Sequence, residues 1–266
     1  MHDFEKGNPG RPRARREQKR GCASVIAVVA LVGLAAVACS SRDAPRPASK
    51  DQRAVAPDST PTPTAEDILA LADFAPLEPG TYFMDPDQDP STPLRVVYDV
   101  LAEGWSEWSG AVKFADDEGH VGVSITTVTN VVRHGCRDHS PADPPVGPSV
   151  DDLATALADL APFRVTSPPE DVSIYGYSGN HLELTVPDLP VEGDGEFAGC
   201  PGGNLKSWID VGGVFYGHTG PGYTEEFWIL DIEGTRLVIV AHRSPGSPPQ
   251  DLTEQRAILE SIRIEP

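Results

Sequence analysis

The sequence predicts an α+β fold: a mostly antiparallel sheet with a mid-domain helix and a C-terminal helix packed on it. Three observations carry this reading. Short runs of alternating apolar and polar residues, such as Val121, Val123 and Ile125, recur between turn residues. Two amphipathic helical patterns stand apart from them, one after Ser149 and one after Asp251. Ahead of residue 64 there is one apolar run, and the rest is polar and proline-rich.

The apolar run has the organisation of an export signal. Lys6, Arg11, Arg13, Arg15, Arg16, Lys19 and Arg20 precede it, and Gly21 to Ser41 carries no charge. A basic stretch, an apolar stretch and small residues before a cut site predict a signal peptide over residues 1–38. The charge divides at the same place. The first 38 residues hold 7 basic and 3 acidic side chains, and the remainder holds 14 and 37. Basic before the segment and acidic after it is the asymmetry that keeps the N-terminus inside and sends the rest across. A strongly acidic domain repels phosphate backbones, which argues against nucleic acid as a partner.

Residues 36–39, Ala-Val-Ala-Cys, resemble the lipobox of bacterial lipoproteins, with Ala36 where Leu is usual. The resemblance implies cleavage before Cys39, diacylation of its thiol with a palmitate-type chain, and a lipid anchor in the membrane. Two acyl chains hold a protein firmly where one does not. An uncleaved apolar anchor is the competing reading, since the run approaches the length that spans a bilayer. Either way the protein is expected at the outer face of the cytoplasmic membrane. Residues 39–75 then read as a disordered tether with a short helix at its end. Residues 40–63 hold five prolines and almost no large apolar side chain. Thr64 and Asp67, three apart, predict a cap for that helix, running through Leu71.

Residues 76–266 form the predicted globular domain. Residues 94–101 read as a strand. Residues 107–115 and 120–128 read as a hairpin about Asp116-Asp117-Glu118-Gly119. Ser149, with Asp152 three residues on, caps a helix whose apolar face is Val150, Leu153, Leu157 and Leu160. Strands follow near 171–175, 180–186, 205–211 and 213–217. Residues 225–232 and 235–242, joined by Glu233-Gly234, predict a central hairpin. Asp251 with Glu254 predicts the cap of the last helix, with Leu252, Ile258, Leu259 and Ile262 as its stripe. Cys136 and Cys200 are the two cysteines left in the folded region, and an even pair in an oxidising compartment predicts a disulfide.

Gly104-Trp105 after a strand, the capped helix over 150–160, the run LDIEGTRLVIVAHR and the closing ILESIRIEP together resemble the PsbP-like fold found in actinobacterial envelope lipoproteins of the LpqN type. The resemblance covers roughly residues 80–266; insertions at 84–93 and 188–203 depart from it. It implies a binding or assembly role rather than catalysis, and it transfers no site residues.

Candidate chemistry is sparse. His134, Cys136, Asp138 and His139 have ligand types suited to zinc, but Cys136 is expected in a disulfide. Asp85, Asp87 and Asp89 alternate as in a calcium loop, yet Pro90 stands in place of the required glycine and Val96 in place of the closing glutamate, which excludes an EF-hand and leaves these three as weak metal candidates. Tyr175, Tyr177, Tyr216, His218 and Tyr223 sit in Gly-rich segments and are the candidate ligand-binding aromatics. Tyr177-Ser178-Gly179 lacks the second glycine of a nucleophile elbow, and no phosphate loop or HExxH is present. No cofactor is implied. The sequence therefore points to a lipid-anchored, non-enzymatic protein that binds an envelope protein or small molecule. A hydrolase or transferase acting on envelope material, and a structural or sensory module, are the alternatives.

Overall fold

A computed structural model describes residues 64–266 apart from 90, 116–118, 194–195 and 219. The predicted signal peptide, Cys39, the tether up to residue 63 and the Asp116–Glu118 turn lie outside the described residues. Strand β1 (Glu66–Asp67) is followed by β2 (Pro76–Leu77) and β3 (Gly80–Met84). β1 and β3 pair in parallel, the one parallel pairing among the described residues. β4 (Arg95–Val100) runs back along β3. β5 (Trp105–Glu107), β6 (Gly110–Ala115) and β7 (Gly119–His134) form a meander, and β8 (Asp138–Pro141) folds back along the end of β7.

Helix α1 (Val150–Ala158) separates these from the hairpin of β9 (Arg164–Ile174) and β10 (Tyr177–Thr185). Two ribbons come next, β11 (Val191–Glu192) with β12 (Glu196–Phe197), and β13 (Leu205–Asp210) with β14 (Phe215–His218). The hairpin of β15 (Thr224–Ile232) and β16 (Thr235–Arg243), helix α2 (Pro249–Ser261) and β17 (Arg263–Glu265) complete the chain.

The main sheet runs β2-β5-β6-β7-β16-β15-β10-β9, and a smaller sheet runs β1-β3-β4-β17. Central strands are buried on both faces, which is why β15 and β16 read as continuous apolar runs. On one face Val123, Ile125, Leu230 and Ile239 pack with Ile258, Leu259 and Ile262 from the α2 region and with Val96 and Tyr98 of the small sheet. On the other, Leu182, Phe227, Ile229, Val238 and Val240 pack with Leu153 and Leu157 of α1. β7 is long enough to serve both ends. Up to Thr127 it pairs with β16, and from Val128 it pairs with β13 instead.

The Ser149 capping box forms as expected: Asp152 N–H donates to Ser149 Oγ at 3.1 Å and Ser149 N–H to Asp152 Oδ2 at 3.0 Å. Other expectations need correction. The Thr64 helix is a single 3₁₀ turn over Ile68–Ala70, capped by Asp67, because Glu66 and Asp67 are drawn into pairing with β3. α2 starts at Pro249, earlier than the Asp251 cap, since proline suits the first helical turn. Asp251 and Glu254 do not cap it; both bind Lys113 Nζ, at 3.0 and 2.6 Å, and Glu254 also accepts from Trp105 Nε1. β9 begins at Arg164 rather than 171. Pro168-Pro169 conceals it in the sequence, yet proline is tolerated on an edge strand.

Candidate functional site

The predicted disulfide is present. Cys136 follows β7, Cys200 precedes β13, and their Cα atoms are 4.7 Å apart. Cys200 packs with Val186, Phe197, Leu205 and Tyr223 in a third core at the base of the β13–β14 ribbon. That pairing removes Cys136 from any metal site. His134 Nδ1 accepts from Cys136 N–H and Arg137 N–H, and His139 Nε2 meets Gly135 O at 2.9 Å. Among the described residues no group of three or more His, Cys, Asp or Glu side chains is arranged to hold a metal ion.

The ribbon closes over one end of the α1-side face of the main sheet, and the most unusual chemistry of the domain lies beneath it. Strand alternation sends Ser124 of β7, Glu225 of β15 and His242 of β16 to this face, beside Val238, Val240 and Phe227. Glu225 and His242 are directly opposite each other in the β15–β16 ladder. Gly122 makes room for His242: a Cβ there would collide with the imidazole. β14 contributes Tyr216 and His218, and Tyr223 enters just ahead of β15. From the opposite face of the sheet, Gln255 of α2 donates to Gly122 O at 2.7 Å and His242 O at 2.9 Å, fixing the backbone under the cluster.

These side chains form one hydrogen-bonded line. Ser244 Oγ lies 3.1 Å from His120 Nδ1, and His120 Nε2 lies 3.2 Å from Tyr223 Oη. Tyr223 Oη is 2.7 Å from His242 Nδ1, and His242 Nε2 is 3.4 Å from Ser124 Oγ. Tyr216 Oη joins at 3.4 Å from Tyr223 Oη. Ser244 and His120 are partly exposed, whereas Ser124, Tyr223 and His242 are buried. Rings reinforce the line. His120 and His242 have centroids 5.8 Å apart, and Trp208 stacks on Tyr216 at 4.5 Å.

Deeper still sit Ser207, His218 and Glu225, each with at most 1 % of its surface exposed. Ser207 Oγ is 3.0 Å from His218 Nε2, and Glu225 Oε2 is 3.5 Å from the same nitrogen. At 3.5 Å the second contact is electrostatic rather than a hydrogen bond. Both Glu225 oxygens, His218 Nδ1 and Trp208 Nε1 have no hydrogen-bond partner. The Trp208 indole is near enough to the carboxyl to work weakly in favour of its ionised form without closing a bond.

Burial dominates the titration of this cluster. It pushes the Glu225 carboxyl well above the usual glutamate range, so the group favours its neutral form. Burial, helped by His120, lowers His218 to about 3. Burial, with His120 and His218 beside it, holds His242 well below the ordinary histidine value. The Tyr216 and Tyr223 hydroxyls are raised for the same reason.

The chain matches no protein-family model. No curated protein and no solved structure matches it significantly either.

Of the five aromatics singled out in the sequence, Tyr216, His218 and Tyr223 meet here. Tyr175 and Tyr177 lie at the β9–β10 turn and pack against the α2-side core instead. Tyr175 Oη donates to Leu259 O at 2.8 Å, and burial raises its pKa to about 12. Asp85, Asp87 and Asp89 stay on the β3–β4 loop. Burial and the neighbouring Asp87 raise Asp85 to about 6, while Asp87 accepts from Thr92 Oγ1 and Asp89 N–H, and Asp89 accepts from Ser91 N–H. Sequence reasoning missed His120, Glu225 and His242. Glu225 and His242 carry a signal: each falls in phase with inward-facing residues, Glu225 with Phe227 and Ile229, His242 with Val238 and Val240.

Proposed function

We propose that this is an extracytoplasmic lipoprotein, anchored through a diacylated Cys39, that binds a ligand or protein partner without performing chemistry on it. The PsbP-like likeness belongs to the same proposal; two helices on an antiparallel sheet are compatible with it. The observation that carries the non-enzymatic reading is the state of the Ser207–His218–Glu225 group. All three are buried, and serine and carboxyl both face Nε2, whereas a working triad needs them on opposite ring nitrogens. The surface that suits binding is aromatic. Phe74 stacks on Trp108 at 4.5 Å, Phe114 follows at 6.0 Å with more than half its surface exposed, and His120 lies 5.6 Å beyond it. Phe74 and Ser109 hold positive φ angles of 61° and 48°, an energetic cost for presenting this strip.

A second reading has one observation of its own. Ser244 and His120 are partly exposed and 3.1 Å apart, the beginning of a nucleophile and base. Labelling with a fluorophosphonate probe separates the two. The binding reading expects no labelling; stoichiometric modification that disappears in Ser244→Ala would replace it with a hydrolase. The anchor is tested separately, by fractionation: Cys39→Ala should move the protein out of the membrane fraction, and retention would support an uncleaved anchor.

A further inference from the structure

We propose that the strip of Phe74, Trp108 and Phe114 receives arginine side chains of a protein partner, with guanidinium groups lying on its ring faces. The proposal rests on the binding reading and names the partner's chemistry. Strand alternation sends Phe114 and Lys113 of β6 to opposite faces of the sheet. Lys113 turns toward α2, where Asp251 and Glu254 hold it. Phe114 is on the other face, with 56 % of its surface exposed. Phe74 and Trp108 stand beside it, stacked on each other with 22° between their planes, and Phe74 meets Phe114 at 52°. The backbone under the strip is tied down. Phe74 N–H donates to Glu107 O at 3.2 Å, Glu107 N–H to Ala75 O at 2.9 Å and Ser109 N–H to Glu107 Oε1 at 3.0 Å. A partner therefore meets rings already in place, with little left to order on binding.

Charge selects the partner. Elsewhere in the domain, partly exposed phenylalanines are covered by the chain's own cations: Arg95 lies 4.8 Å over the Phe83 ring and Lys206 lies 5.1 Å over Phe215. Among the described residues no Lys or Arg stands over Phe74, Trp108 or Phe114. The field around the strip favours a cation from outside. Residues 64–266 carry 10 Lys and Arg against 34 Asp and Glu, and exposed Asp73 immediately precedes Phe74. Such a surface attracts positive segments and repels anionic lipids and nucleic acid. The face of an aromatic ring is itself the negative part of its quadrupole. Arginine fits both features, because its guanidinium is planar, permanently charged and weakly hydrated, and it stacks on aromatic faces.

Two ranges of interaction act on such a partner, and they can be separated. The net charge of the domain acts at long range and is screened beyond about 10 Å at 0.1 M salt. It speeds encounter with any basic segment and gives no preference for this strip. The rings act only at contact. One cation–π contact at an exposed site changes affinity by about two- to fivefold. Leucine in place of Phe114 keeps an apolar side chain and removes the quadrupole, so it isolates the contact part. Tryptophan there keeps the quadrupole and strengthens it.

Titration of the full chain with a short peptide of alternating arginine and glycine, followed by NMR at the Trp108 indole N–H, tests this. The same peptide with citrulline, the neutral isostere of arginine, is the control. The arginine peptide should shift the Trp108 signal and the citrulline peptide should not. Phe114→Leu should weaken binding about two- to fivefold, and Phe114→Trp should bind at least as tightly as wild type. Equal binding of the citrulline peptide overturns the proposal, as does arginine binding that leaves Trp108 unmoved or is unchanged in Phe114→Leu. Vesicles of phosphatidylcholine that shift Trp108 where the arginine peptide does not would replace the protein partner with a lipid surface. The wild-type comparison of the two peptides decides the matter even if a variant fails to fold. Fluorophosphonate labelling of Ser244 would end the binding reading itself, whereas these titrations end only the arginine partner.

Discussion

Removing the Cys136–Cys200 bond is the perturbation whose size follows most directly from the structure. The bond joins residues 64 apart and encloses α1, β9 and β10. Constraining a loop of that length in the unfolded chain is worth about 4 kcal/mol in the chain-entropy model. Packing adds to this, because Cys200 is buried beside Phe197, Leu205 and Tyr223. The double variant Cys136→Ala, Cys200→Ala should therefore lose about 4 kcal/mol. With a urea dependence of about 2 kcal/mol per molar, its midpoint falls by about 2 M. Equilibrium urea unfolding followed by tryptophan fluorescence reads the shift, and wild type with and without reductant gives an independent copy of it. Coincident midpoints for oxidised wild type, reduced wild type and double variant would refute the reasoning.

Three smaller perturbations have defined signs. The folded pKa of Glu225 lies above its unfolded value, so its contribution is present at low pH and is lost as pH rises from about 4.5 through the folded value, at about 1.4 kcal/mol per unit. Glu225→Gln removes that loss, so its stability relative to wild type, measured by urea unfolding, should rise from pH 5 to pH 7. Gly122→Ala drives a methyl into the His242 ring and should cost about 1–3 kcal/mol, with the Tyr223–His242 contact displaced in a crystal structure. Ser149→Ala removes the acceptor for Asp152 N–H and should cost about 1 kcal/mol in thermal or urea unfolding without altering exchange in β13–β14.

Local patterns made much of the fold legible. The β15–β16 hairpin was readable because Glu233-Gly234 interrupts two β-branched runs, and both residues take the positive φ the turn needs, 52° and 93°. α1 was readable because Ser149 and Asp152 form a closed local motif. The failures arose where distant partners decided the outcome. Asp251 and Glu254 have the spacing of a cap, yet Lys113, some 140 residues earlier, takes both carboxylates. Glu66 and Asp67 look like a helix start until β3 offers them a strand edge. The site follows the same division. Tyr216, His218 and Tyr223 stood out as aromatics among glycines, but Tyr175 and Tyr177 looked identical and belong to another core. Nothing local connects His120 to His242; they meet because β7 and β16 are neighbours and Gly122 leaves space between them.

The central claim is that the cluster under the ribbon is closed and uncharged. Nitrogen-15 NMR of the histidine side chains, titrated from pH 8 to pH 4, tests it most directly. Because burial depresses His218, its stabilising contribution is complete above about 6.5 and is lost only as pH falls toward its folded value of about 3. In the folded protein His218 should remain a single neutral tautomer to well below pH 6, with His242 behaving likewise. A His218 imidazole that titrates with an ordinary midpoint near 6.5 in the folded protein would contradict the account.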